Sequence, residues 1–315
     1  MAEKEGPTSI WDNVKEQHWR NNFKVYWETL PEVERYQLKS MTGREDLHYF
    51  EYLINYIEDN IGKKGLRGLF IGCQEWDSTP EMMLIERGLF NKIEVLDIAE
   101  NLLKKQEQLA QQKGIAGIQY IKRDCNHLQL EEDAYDLIFS VGTVHHIERL
   151  DSLFMQINRA LKGNGIFAMR EYVGPNRLQF TEEQLSVVNE ILSILPEKYR
   201  ITFDGLIKND HTNISEEETM RIDPSESICS EDIISSMEKH LDVITINYTG
   251  GTILHPLMNG IASNFEEGED ASTILKLLIF FEKTLIEKKV LPSDYVFCMA
   301  RKKSWKRKFK EVFKK

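Results

Sequence analysis

Tyr135-Asp-Leu-Ile-Phe-Ser-Val-Gly-Thr-Val-His-His-Ile147 opens on an acidic residue, runs through an apolar strand and closes on two adjacent histidines before a helical pattern. Two other apolar runs read the same way, Leu66-Arg-Gly-Leu-Phe-Ile-Gly72 and Ile93-Glu-Val-Leu-Asp97. Short, continuously apolar runs of this kind are the mark of strands buried on both faces. In an open parallel sheet, ligands bind at the carboxyl ends of strands where the chain order reverses, so the residues after these strands converge on one crevice.

Working outward, strands and helices alternate from Gly65 to Arg170. The expected strands are Leu66–Ile71, Ile93–Leu96, Ile118–Ile121, Leu137–Val141 and Ile166–Met169, and the expected helices are Thr79–Gly88, Ala99–Lys113 and Leu150–Leu161. The alternation predicts an α/β fold with a doubly wound sheet and right-handed crossovers. Two later strands, Val243–Tyr248 and Tyr295–Ala300, extend it. Residues 1–64 read as an N-terminal helical cap and include a helix over Leu47–Ile61 that stops at Gly62. Residues 173–241 read as an insertion serving as a lid or acceptor element. Within it Thr181–Leu195 is a helix capped by Thr181, and Ile207–Pro224 is a polar loop. The core is 65–172, the last two strands and their helix occupy 242–300, and 301–315 form a separate tail.

The chain has 315 residues, 41% hydrophobic and 29% charged, enough to build a sizeable core under a well-solvated surface. It has no transmembrane-length apolar run and no signal-peptide pattern at its start, and its four cysteines are widely spaced without a Cys-x-x-Cys pair. A cytoplasmic protein with reduced thiols and no metal site is expected. The net charge is −11, yet residues 301–315 carry nine Lys or Arg against one Glu. The acidic body argues against broad contact with nucleic acid. Trp305, Phe309 and Phe313 recur every four residues among lysines, so the tail reads either as a basic amphipathic element for an anionic membrane or as a solvated end.

Each candidate site residue has a plain structural alternative. Gly72 either brings backbone close to a ligand or simply turns the chain into a helix. Asp97 can accept hydrogen bonds from ribose hydroxyls or act in a capping box with Glu100. Asp124-Cys125-Asn126 can clamp an adenine or be a solvated turn. Asp136, at the start of its strand, is structural. His145 and His146 lie on the ligand side of their strand, where an imidazole can serve as base. Arg170-Glu171-Tyr172 brings a cation, an anion and a phenol to the same edge, and Glu171 could orient or deprotonate an acceptor hydroxyl. His255, in Gly250-Gly-Thr-Ile-Leu-His-Pro, follows two glycines that imply close backbone approach from an unspecified direction.

On these residues the chain resembles the class I S-adenosylmethionine-dependent methyltransferases over about Leu66–Arg170. The resemblance implies a seven-stranded, mostly parallel sheet, and the later segments look like a bacterial branch with an acceptor-binding insertion. It implies S-adenosylmethionine held by Gly72, Cys73 and Gln74 in the cofactor loop, Asp97 and Ile98 at the ribose, and Asp124, Cys125 and Asn126 around adenine. Val141 and Gly142 would line the methionine side, with His145, His146 and Glu171 as the catalytic set. The acceptor would be a hydroxyl, or else an amine, of a small molecule or glycan. The loop departs from the family pattern: Phe70 stands where an acid is customary, and Gln74 and Trp76 where glycines are. The departures keep a second reading open, a catalytically silent domain that uses the fold for binding. A nicotinamide oxidoreductase is a third, disfavoured by the missing Gly-x-Gly-x-x-Gly.

Overall fold

The computed structural model describes residues 25–62 and 64–303. The expected helical reading of the first 24 residues and the amphipathic reading of the tail beyond 303 lie outside the described residues.

Seven strands, β1 (Leu66–Ile71), β2 (Phe90–Asp97), β3 (Ile118–Lys122), β4 (Tyr135–Val141), β5 (Leu161–Tyr172), β6 (Leu241–Gly250) and β7 (Tyr295–Lys302), form one sheet in the order β3-β2-β1-β4-β5-β7-β6. The pairs β1/β2, β2/β3, β1/β4 and β4/β5 are all parallel. Chain order therefore reverses between β1 and β4, which sets a topological switch point at their carboxyl ends. Every residue of β4 is buried, as the apolar run predicts.

The helices are α1 (Pro31–Thr42), α2 (Tyr49–Asn60), α3 (Pro80–Glu86), α4 (Glu100–Gln112), α5 (Leu150–Ala160), α6 (Glu182–Ile194), α7 (Glu216–Ile222), α8 (Ile233–His240), α9 (Leu254–Met258) and α10 (Glu269–Glu287). α5 shows why they form. Leu150, Leu153, Phe154, Ile157 and Ala160 fall on one face at helical spacing, and all are buried. None of the described helices is long and apolar enough to cross a membrane.

The chain divides into two compact units. Among the described residues, one comprises 53–171, 232–246 and 297–303. The other comprises 25–52, 172–231 and 247–296. The second has its own core, in which Trp27, Leu30, Val188, Leu192, Leu254, Leu257 and Leu275 are buried together. In it Thr181 caps α6 in a full capping box. Its hydroxyl accepts from the Gln184 amide, and the Gln184 side chain accepts from the Thr181 amide. The loop expected over Ile207–Pro224 contains α7. Ser215 caps that helix by accepting from the Glu218 amide, and three glutamates fill its first turn, a start signal strong enough to order a polar segment.

Candidate functional site at the carboxyl ends of the strands

The turn after β1 is built by contacts that only glycine permits. Gly72 has φ of +92°, and a Cβ there would lie 1.9 Å from Thr143 Oγ1. At Gly72 the close approach is made by the Thr143 side chain of the β4 turn. The Thr143 hydroxyl in turn donates to Val141 O at 3.1 Å. At Gly142 (φ +54°) the opposite holds: an added Cβ would meet nothing within 4 Å. Gly142 is the backbone position that faces open space.

Asp97 ties two loops together. Its Oδ2 accepts from the Cys73 amide at 2.8 Å and its Oδ1 from the Ala99 amide at 2.8 Å. The capping box weighed for Asp97 and Glu100 does not form, because Glu100 pairs with Lys104 and Lys122 instead. Each carboxylate oxygen keeps a second lone pair for a further donor. Ile98, next in the chain, is half-buried.

Gln74 does not intrude where a glycine is customary, since its side-chain amide donates to Val141 O at 2.8 Å and bridges the ends of β1 and β4. Trp76 is 42% exposed. Phe70 belongs to the core, edge-on to Phe139 with ring centroids 5.4 Å apart.

After β3, Asp124 accepts from the Asn126 amide, and Asn126 Oδ1 accepts from the Glu148 and Arg149 amides at 3.0 and 3.1 Å. Asn126 therefore fixes the entry to α5, a bond between distant segments that the sequence does not announce. Burial, together with the carboxylates of Asp97 and Asp124, pushes the Cys125 thiol up to about 12. Cys125 is thus a neutral wall residue and no nucleophile.

The β4 turn is held from β5. Glu171, 1% exposed, accepts through Oε2 from the Thr143 amide at 3.0 Å and the Val144 amide at 2.7 Å. Its Oε1 lies 2.5 Å from His145 Nδ1. His146 has its ring centroid 4.0 Å from that of His145. Both Glu171 oxygens are committed to protein groups, which suits orienting His145 better than deprotonating an acceptor directly. Asp136 sits at the other end of the strands, bound to the Arg67 amide and to Lys162, in keeping with a structural role.

Residues 69–169 match the sequence model of a family described as a methyltransferase domain. Among curated proteins, the sterol 24-C-methyltransferase ERG6B of Gibberella zeae is 22% identical over 121 residues, covering 38% of this chain and 31% of that protein. The match thus spans about a third of the length of the curated relative. Among solved structures, phosphoethanolamine N-methyltransferase 2 of Haemonchus contortus, in complex with S-adenosyl-L-methionine, aligns with TM-score 0.51 and 15% identity, over 96% of this chain and 61% of that one. Geranyl diphosphate C-methyltransferase of Streptomyces coelicolor aligns with TM-score 0.46 and 15% identity, over 94% and 96%. Residues 69–169 thus match a methyltransferase domain, and the chain shares the fold of an S-adenosylmethionine-binding methyltransferase.

Proposed function

We propose that this protein transfers the methyl group of S-adenosylmethionine to an oxygen of a small-molecule or glycan acceptor, with His145 receiving the acceptor's proton. The observation that carries the reading is the Glu171–His145 pair, fixed beside the open backbone at Gly142.

The residues fit the cofactor. Asp97 has lone pairs to spare for ribose hydroxyls, Asp124, Cys125 and Asn126 form a neutral-to-acidic edge for adenine, and Val141–Gly142 leave room at the switch point. When bound, the sulfonium supplies a methyl group that is already electrophilic, so the protein's part is alignment and exclusion of water. Glu171 Oε1 accepts the proton on His145 Nδ1, which places the basic lone pair on Nε2. That lone pair would take the hydroxyl proton of an acceptor placed against it. Glu171 also braces the turn that carries the imidazole, through the amides of Thr143 and Val144.

Calorimetric titration with S-adenosylmethionine and S-adenosylhomocysteine tests the cofactor site, and micromolar affinity is expected. No heat from folded protein at millimolar ligand would turn the reading towards a silent domain. With an acceptor in hand, His145→Ala is expected to keep cofactor affinity and lose turnover. Unchanged turnover would point to an amine acceptor, which can attack without a base.

A further inference from the structure

His255 was left without a role by the methyl-transfer chemistry, and its surroundings assign it one. It is half-buried, and its ring neighbours are buried. Trp27 stacks on it with centroids 5.9 Å apart and planes 18° apart, and Tyr172, Phe180 and Tyr295 meet it edge-on at 6.3, 5.6 and 5.7 Å. His211 meets the same Phe180 ring at 5.8 Å. Lys208 lies close by, its Nζ donating to the carbonyls of Pro256, Leu257 and Asn259 around the end of α9.

Two features show what this setting lacks. Tyr295 Oη lies 3.3 Å from His255 Nδ1 and 3.4 Å from Tyr26 Oη, so a hydroxyl donating to Nδ1 leaves the ring N–H on Nε2. Trp27 Nε1, stacked beside it, is buried with no hydrogen-bond acceptor among the described residues. A buried indole N–H without a partner is costly and calls for an acceptor from beyond the described residues. Among the described residues neither His211 nor His255 has a carboxylate partner, and Lys208 already spends its three N–H groups on carbonyls, so the shortage of acceptors lies at Trp27 and His255.

We propose that Trp27, His211 and His255, with Lys208 behind them, form a receptor for a phosphate-type oxyanion carried by an organic ligand whose apolar part lies against the rings. The oxyanion supplies the missing acceptor to Trp27 Nε1 and His255 Nε2. Burial, with the positive charge of His211 and Lys208 added, holds His255 down at about 3, and burial and Lys208 hold His211 at about 4. Burial lowers Lys208 to about 7 against the pull of Asp210, and an anion would favour the protonated histidines. Identifying this ligand with the methyl acceptor rests on the function proposed above; the oxyanion site itself does not.

The test follows the indole N–H signals of the full chain by nitrogen–proton NMR, with Trp27→Phe assigning the Trp27 peak. Inorganic phosphate is titrated in, and tetramethylammonium chloride separately at matched ionic strength. Phosphate should move the Trp27 signal saturably at millimolar concentration and bind several-fold tighter at pH 6 than at pH 8. His211→Gln and His255→Gln should each weaken it by about tenfold, roughly the effect of losing one charge-assisted hydrogen bond. Should His255→Gln fail to fold, His211→Gln carries the test. No response to phosphate, a response that both variants leave intact, or a response to tetramethylammonium in its place overturns the proposal. Titration of the same sample with S-adenosylmethionine reports separately on the cofactor site.

Discussion

Glu171 Oε1 lies 2.5 Å from His145 Nδ1 while Oε2 takes the amides of Thr143 and Val144, so one carboxylate sets both an imidazole and the turn that carries it. β5 supplies the carboxylate and the β4 turn the imidazole, and their parallel pairing fixes the distance between them.

This arrangement predicts how Glu171→Gln behaves. An amide cannot match the charge that stabilises a protonated His145, and it offers one acceptor oxygen where the carboxylate offers two. Turnover should fall by roughly 10²-fold, the lower end of what a general base contributes, with cofactor affinity within a few-fold of wild type. Equal losses in turnover and in S-adenosylhomocysteine binding would instead make Glu171 a scaffold residue.

Gly72→Ala should destabilise the protein by roughly 2–4 kcal/mol, from the clash with Thr143 together with the unfavourable positive φ. Thermal melts read this directly. Combining it with Thr143→Gly removes the clash and leaves the φ strain, so the two effects should be clearly non-additive. Simple additivity would mean that the turn relaxes away from the contact.

Acid should weaken the unit that holds His211 and His255. Burial and neighbouring positive charge depress both, to about 4 and about 3, so below the ordinary histidine range the unfolded chain binds protons that the folded chain refuses. Their contribution is intact above pH 6.5 and declines as pH falls, by at most about 1.4 kcal/mol per unit for each residue. Denaturant melts from pH 7.5 to 5 should show this slope, and His211→Gln should flatten it. An unchanged slope in that variant would locate the acid sensitivity elsewhere.

Asp294 works in the opposite sense. Burial pushes its carboxyl up to about 7, and Oδ1 has no partner among the described residues while Oδ2 accepts from Gln184. The folded chain keeps a proton there that the unfolded chain releases, so stability is lost as pH rises from about 4 through about 7. Asp294→Asn should therefore be the more stable protein at pH 8, by roughly 1–3 kcal/mol, and gain little at pH 4.5. A loss of stability at pH 8 would show that the charge itself is needed.

Strands β1 and β4 were legible because burial on both faces of a parallel sheet leaves an unbroken apolar signature, and α6 because its capping box is written within four residues. The places of Asp97, Asn126 and the His145 edge followed from the rule that chemistry gathers at strand carboxyl ends. Thr143 against Gly72, Gln74 on Val141 and Asn126 on the Arg149 amide were not legible. Each joins segments tens of residues apart, and nothing local in the chain encodes such a contact. α7 was missed for a different reason: its apolar face is short, and the Ser215 cap with its glutamates outweighed a polar composition.

Gly250 and Gly251 have φ of +88° and +86°, and a Cβ on Gly250 would lie 2.2 Å from Glu282 Oε1. Glu282 accepts from the amides of Gly251, Ile253 and Leu254 at 2.8–2.9 Å, so the start of α9 is closed by a side chain from the middle of α10. A five-residue helix has no stability of its own in water. The short helix therefore depends on the long one: whatever displaces α10 also unties the segment that displays His255.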